Sequence, residues 1–183
     1  MIEKIKLCRS CKLCENQRPL LDNAKSARIM VVGLSAKVIQ DITEIPLDGR
    51  TRSGKLVSIL EEKAQKYGYS FYRTNLVKCV PLDNNGKLRY PTKEEIDICF
   101  KNLILEMDFV DPKIVVLFGG IVEAAFVNNL QLHFSKNSMQ QYKLQKKGSR
   151  YYISMYHPSY VLRSKVKKEC FIRVFSELIK RLL

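Results

Sequence analysis

Apolar residues in this chain fall into two recurring patterns. One is the short continuous run: residues 28–33 read Arg-Ile-Met-Val-Val-Gly, 71–77 read Phe-Tyr-Arg-Thr-Asn-Leu-Val, and 114–118 read Ile-Val-Val-Leu-Phe. Short apolar runs stopped by Gly33 or by Gly119-Gly120 predict buried strands that feed loops. The other pattern is helical spacing. Between residues 53 and 67, Leu56, Ile59, Leu60 and Ala64 share one face. Thr92 follows Pro91 and is followed by Glu95 three positions on, a capping box that predicts a helix to about Asp108. Asp111-Pro112 closes that connection. Residues 121–128 and 165–183 predict two more helices, and 142–144 and 151–155 two more strands.

Strands alternating with helices predict an α/β fold, a three-layer α/β/α sandwich around a mostly parallel central sheet. The 183 residues suit a single domain spanning 1–183, with no internal repeat and no low-complexity linker. In such sheets ligands bind beyond the carboxyl ends of the strands. Here the loops at that end begin at Gly33, at 75–78, at Gly119 and at His157.

Charge narrows the partner. Lys and Arg number 32 against 18 Asp and Glu, a formal net charge of +14. Residues 131–183 hold twelve Lys or Arg and only Glu169 and Glu177 as acids, so +10 of the excess is concentrated there. A local excess of this kind points to a polyanionic partner, and DNA is the expected one. No apolar run approaches the roughly 20 residues of a membrane span. No apolar segment of the kind found in secretory leaders follows Met1, so a cytoplasmic protein with reduced thiols is expected.

Six cysteines in a reducing compartment point to metal binding before disulfides. Cys8, Cys11 and Cys14 form a C-x-x-C-x-x-C run, Cys79 follows the second strand, and Cys99 sits in the helix after it. Four thiolates suit either a [4Fe–4S] cluster or a tetrahedral zinc, and spacing alone does not choose. Cys170, alone in the last helix, reads as a small buried hydrophobe.

Several segments then line up in order. Thr74-Asn75-Leu76-Val77-Lys78-Cys79, the later Cys99, the strand at 114–118 ending in Gly119, and Tyr156-His157-Pro158-Ser159-Tyr160-Val161-Leu162-Arg163 follow the opening Cys8-x-x-Cys11-x-Leu13. Over nearly the whole chain this set resembles the iron–sulfur branch of the uracil-DNA glycosylase superfamily. The resemblance implies Cys8, Cys11, Cys79 and Cys99 as ligands of a [4Fe–4S] cluster rather than zinc, with residues 1–22 as a cluster-binding segment. Cys14 is then a spare, or a substitute for one of the first two. The first signature departs from the branch. Where G-E-x-P-G is usual, this chain has Gly33-Leu34-Ser35-Ala36-Lys37, and the stacking Phe of P-F-x-G is Leu47.

The resemblance also implies roles. His157 donates to the base oxygen as the anion leaves, Asn75 reads the base edge, and Ser35 sits where some relatives position the attacking water. Gly33, Leu34 and Leu47 line the base pocket. The charge, rather than the resemblance, suggests that the loop after the His-Pro-Ser segment grips the phosphates, with Ser159, Arg163, Lys165, Lys167 and Lys168. Asp41 and Glu44 are the nearest acids and either assist the attacking water or, the favoured reading, are solvated loop carboxylates; His133 reads as structural or surface. The implied activity is hydrolysis of the N-glycosidic bond of uracil or a related deaminated base, in single- or double-stranded DNA, by a monomer. The alternative is a DNA-binding protein of the same fold that has lost catalysis, which Leu34, Leu47 and Lys37 favour.

Overall fold

The computed structural model describes residues 1–134 and 141–183. Lys136, one of the basic residues counted above, lies outside them. The strands are β1 (Ile29–Ser35), β2 (Phe71–Val77), β3 (Ile114–Phe118), β4 (Tyr142–Lys147) and β5 (Arg150–Met155). The helices are α1 (Ile2–Lys6), α2 (Leu13–Asn16), α3 (Arg52–Lys66), α4 (Lys93–Val110), α5 (Gly120–Leu130), α6 (Pro158–Val161) and α7 (Lys165–Leu182). The five strands form one sheet in the order β2-β1-β3-β5-β4. β2, β1, β3 and β5 are mutually parallel, and β4 returns antiparallel on β5.

Alternation along each strand divides the core into two layers. Met30, Val32, Val115, Leu117 and Tyr152 face α4 and α5. Ile29, Val31, Ile114, Val116 and Ile153 face α3 and α7. Both faces of a parallel sheet must be covered, because each strand is apolar on both sides. The three-layer architecture expected from the sequence is the one found. Thr92 and Glu95 form the reciprocal capping box that starts α4. All four parallel strands end on the same edge of the sheet, so Ser35, Val77, Gly119 and His157 come together there.

Candidate active site

At that edge the strand ends surround a cavity of about 520 Å3, within the size range of small-molecule sites. β1 contributes Leu34 and Ser35, β2 contributes Asn75, and His157 and Ser159 follow β5. Leu47 enters from the loop before α3. These predicted residues, distant in sequence, are brought together in one place.

Gly33 is in register with Asn75 across the β1–β2 pair. A Cβ at Gly33 would fall 2.5 Å from Asn75 Oδ1 and 3.1 Å from Leu47 Cδ2. The missing side chain therefore lets the Asn75 amide and the Leu47 side chain close over the β1 backbone. Leu47 itself is in the left-handed region, with φ 54°, a conformation that costs a leucine about 1–2 kcal/mol. The buried Arg73 compensates. Its guanidinium donates to the Leu47 carbonyl at 2.9 Å and to Ser58 Oγ at 3.1 Å, and pairs with Glu61 on α3.

His157 caps α6, and its Nδ1 accepts the Ser159 backbone N–H at 3.2 Å and lies 2.8 Å from Ser159 Oγ. A backbone amide can only donate, so Nδ1 is the unprotonated nitrogen and the neutral ring carries its proton on Nε2. Burial pushes the His157 pKa below its ordinary value and keeps the ring neutral near pH 7. The cavity thus has a neutral imidazole donor on one wall and the Asn75 amide on another.

Among the described residues no carboxylate lines this cavity. Asp41 is exposed and bonds Thr43. Glu44 corrects the sequence reading, because it is buried rather than solvated. Its carboxylate pairs with Lys37 at 2.6 Å and accepts the Gln40 N–H at 2.8 Å. The hydrogen bond from Lys37 leads in holding its pKa below the usual carboxylate value. The residue that replaces the glycine of the first signature, Lys37, thereby anchors the loop carrying Leu47.

A second cleft lies beyond the end of β2. Cys8, Cys11, Cys14, Cys79 and Cys99 all line it. Cys79 and Cys99 are buried, and Cys170 is remote, on α7. Burial first, then the neighbouring cysteines, pushes the Cys79 thiol up to about 12. Burial also raises Cys11 and Cys99. Burial acts upward on Cys8 too, but hydrogen bonds with Ser10 and from Asn102 outweigh it and lower its pKa. Among the described residues, no three His, Cys, Asp or Glu side chains converge closely enough to hold a single metal ion.

A family model of the uracil DNA glycosylase superfamily matches residues 21–179. The chain belongs to that superfamily. It is 28% identical over 165 residues to the type-4 uracil-DNA glycosylase of Thermotoga maritima, covering 89% of this chain and 82% of that protein. It is also 28% identical over 177 residues to the enzyme of that name from Archaeoglobus fulgidus, covering 92% and 85%. The enzyme of that name from Sulfurisphaera tokodaii is 31% identical over 125 residues, covering 64% and 54%. Within the superfamily's fold, the cysteine run at 8–14 precedes the matched segment.

Ser159 lines the cavity and is exposed, and Arg163, Lys165 and Lys167, which follow it in sequence, are exposed as well. Tyr156 and Tyr160 pack with ring centroids 5.0 Å apart and planes tilted by 39°. Lys167 Nζ lies 4.5 Å from the Tyr160 ring centre. No acid occupies the first turn of α7, which begins instead with Lys165, Lys167 and Lys168. Cations at a helix amino terminus oppose the helix dipole, so an outside anion is their natural complement.

The sequence reading missed one wall. Leu88, Arg89 and Tyr90 line the cavity from the segment between β2 and α4. Leu82 bridges Leu88, and Arg89 bonds both carboxylate oxygens of Glu95 at 2.8 and 2.6 Å. This anchors the arm while leaving Tyr90 74% exposed. The turn residues Asn85-Gly86 were the available signal.

Proposed function

We propose that this protein is a monofunctional DNA glycosylase that hydrolyses the N-glycosidic bond of uracil or a related deaminated base. The observation that carries the reading is the convergence of His157, Asn75, Ser35 and Leu47 on one cavity at the carboxyl edge of the sheet. It occurs in a chain that belongs to the uracil DNA glycosylase superfamily, whose relatives above are named type-4 uracil-DNA glycosylases.

Breaking the bond leaves the base anionic and the sugar cationic. His157 Nε2–H stabilises the departing anion, and a neutral donor needs no change of protonation to do so. With Oδ1 accepting from N3–H and Nδ2 donating to O4 the Asn75 amide matches uracil, and in that one orientation it mismatches the N3 acceptor and the 4-amino donor of cytosine. Ser35 orients the water. With no carboxylate at hand to deprotonate that water, the chemistry rests on stabilising the leaving group. Leu47 covers the base with apolar contact but no π face.

The base must leave the stack to reach this cavity. Ser159, Arg163, Lys165 and Lys167 hold the phosphates on either side. Both single- and double-stranded DNA are substrates, with the higher rate where unpairing costs least. The whole chain acts as one domain and as a monomer in the cytoplasm.

Cys8, Cys11, Cys79 and Cys99 hold a [4Fe–4S] cluster. The cleft suits it: every donor is a thiol, three are raised in pKa and so need an external positive charge to ionise. The relatives' name, type-4 uracil-DNA glycosylase, and the ordered cysteine motifs favour the cluster over zinc. Bound, the cluster supplies that charge and ties residues 1–22 to β2 and α4. Cys14 is a spare. Release of free uracil from oligonucleotides tests the reading, and absorbance near 400 nm (about where thiolate-to-iron bands fall) tests the cofactor.

A further inference from the structure

Lys78 and Glu106 are both fully buried and form an ion pair in the layer between β2 and α4. Every group in the pair is used. The Lys78 ammonium donates to Thr74 Oγ1 and to the Asn75 carbonyl, each at 2.6 Å, and meets Glu106. Glu106 also accepts the Tyr72 hydroxyl at 2.9 Å and the Thr74 hydroxyl at 2.8 Å. Such a pair is a poor stabiliser. Desolvation of two ions offsets their attraction, and apolar replacements of similar volume are often neutral or better.

What the pair touches suggests another use. β2 is an edge strand. The outward N–H of Arg73 is taken by Asp22 Oδ2 at 2.9 Å. Backbone groups two residues apart point to the same side of a strand, so the Asn75 carbonyl also faces the edge, where among the described residues no further strand supplies a donor. Lys78 supplies it. The peptide that carries Asn75 is thereby fixed, and with it the direction of the amide that fits against Gly33. At its other end Lys78 donates its own backbone N–H to Cys99 Sγ at 3.3 Å, so one residue joins the cysteine cleft to the cavity.

We propose that Lys78 is a positioning residue for Asn75, that its buried ammonium serves base recognition rather than stability, and that Glu106 serves only to balance its charge. The inference rests on the assignment of Asn75 as the reader of the base edge. A double variant, Lys78→Met with Glu106→Leu, separates the two roles. It should melt at or above the parental temperature and bind an oligonucleotide with an abasic site as the parent does. Its affinity for free uracil should fall about tenfold or more, the value of one misdirected hydrogen bond. Glu106→Gln should show the opposite split: a lower melting temperature, from an unpaired buried ammonium, with uracil affinity retained because Lys78 still holds Asn75.

Parental uracil affinity in the double variant overturns the proposal. If the double variant does not fold, Glu106→Gln decides: uracil affinity kept in its folded fraction supports the proposal, and its loss there overturns it. A parent that binds no uracil contradicts the glycosylase reading instead. The Asn75 side-chain amide resonances then decide this inference, displaced in the double variant if it holds and unmoved if it fails.

Discussion

Asn75 in the cavity and Cys79 in the cysteine cleft are four residues apart, yet the two regions are built on opposite principles. In the cavity the protein completes its own electrostatics. His157 has its tautomer set by the Ser159 amide, Leu47 has its carbonyl held by Arg73, and Asn75 has its peptide held by Lys78. In the cleft five thiols face one another, and three are raised in pKa by burial. Nothing among them balances four thiolates. The contrast is between a cavity whose polar groups are oriented by hydrogen bonds from the chain itself and a cleft whose buried thiols ionise only against an opposing positive charge.

The sharpest way to break this contrast is Cys79→Ala. Losing one ligand should remove the iron and cost several kcal/mol of stability, since binding energy at such a site is folding energy. Cys14→Ala and Cys170→Ala should leave iron content and melting temperature unchanged. Chelating the metal from the parent should reproduce the Cys79 effect. Full iron in the Cys79 variant would contradict the ligand assignment.

The next effect in size belongs to the basic rim. Neutralising Lys165, Lys167 and Lys168 together should weaken DNA binding for all sequences alike. It should also flatten the slope of log affinity against log salt by about two to three. An unchanged slope means that these lysines face away from the DNA.

Leu47→Phe tests the cavity itself. Stacking on a base is worth about 1–3 kcal/mol, so the variant should raise the excision rate roughly tenfold or more. A lower rate would mean that Phe does not tolerate the left-handed backbone at this position.

The smallest effect is in pH. Folding lowers the His157 pKa from its ordinary 6.5 by burial, so the unfolded chain binds this proton more tightly. The resulting stability is complete above about pH 6.5 and is lost as the pH falls from there through the folded-state pKa. Thermal melts of His157→Ala across that window should lack this component. Excision by the parent should hold steady down to pH 6.5 and decline only below it.

Much of this was legible in the sequence, for physical reasons. Buried parallel strands are continuous apolar runs, and Thr92 with Glu95 marks a helix start by chemistry alone. The cleft was legible because five of its residues are of one type. The Leu88–Tyr90 arm was not, since it has neither helical nor strand periodicity and is set by the Arg89–Glu95 pair. α1 and α2 are too short to show a period. The left-handed Leu47 carries no Gly or Asn to announce it; only the distant Arg73 explains it. Glu44 was misread because a carboxylate in a polar loop is ordinarily solvated, and its burial follows from Lys37.

His157, as proposed, stabilises a uracil anion in this cavity. The most direct test of this role is uracil release from a single-stranded oligonucleotide by the parent and by His157→Ala, both fully loaded with iron. The parent should release free uracil, and the variant should be slower by about 10²–10³ or more while binding the oligonucleotide equally well. Equal rates in the two proteins, or no release by the parent from any deaminated base, would contradict it.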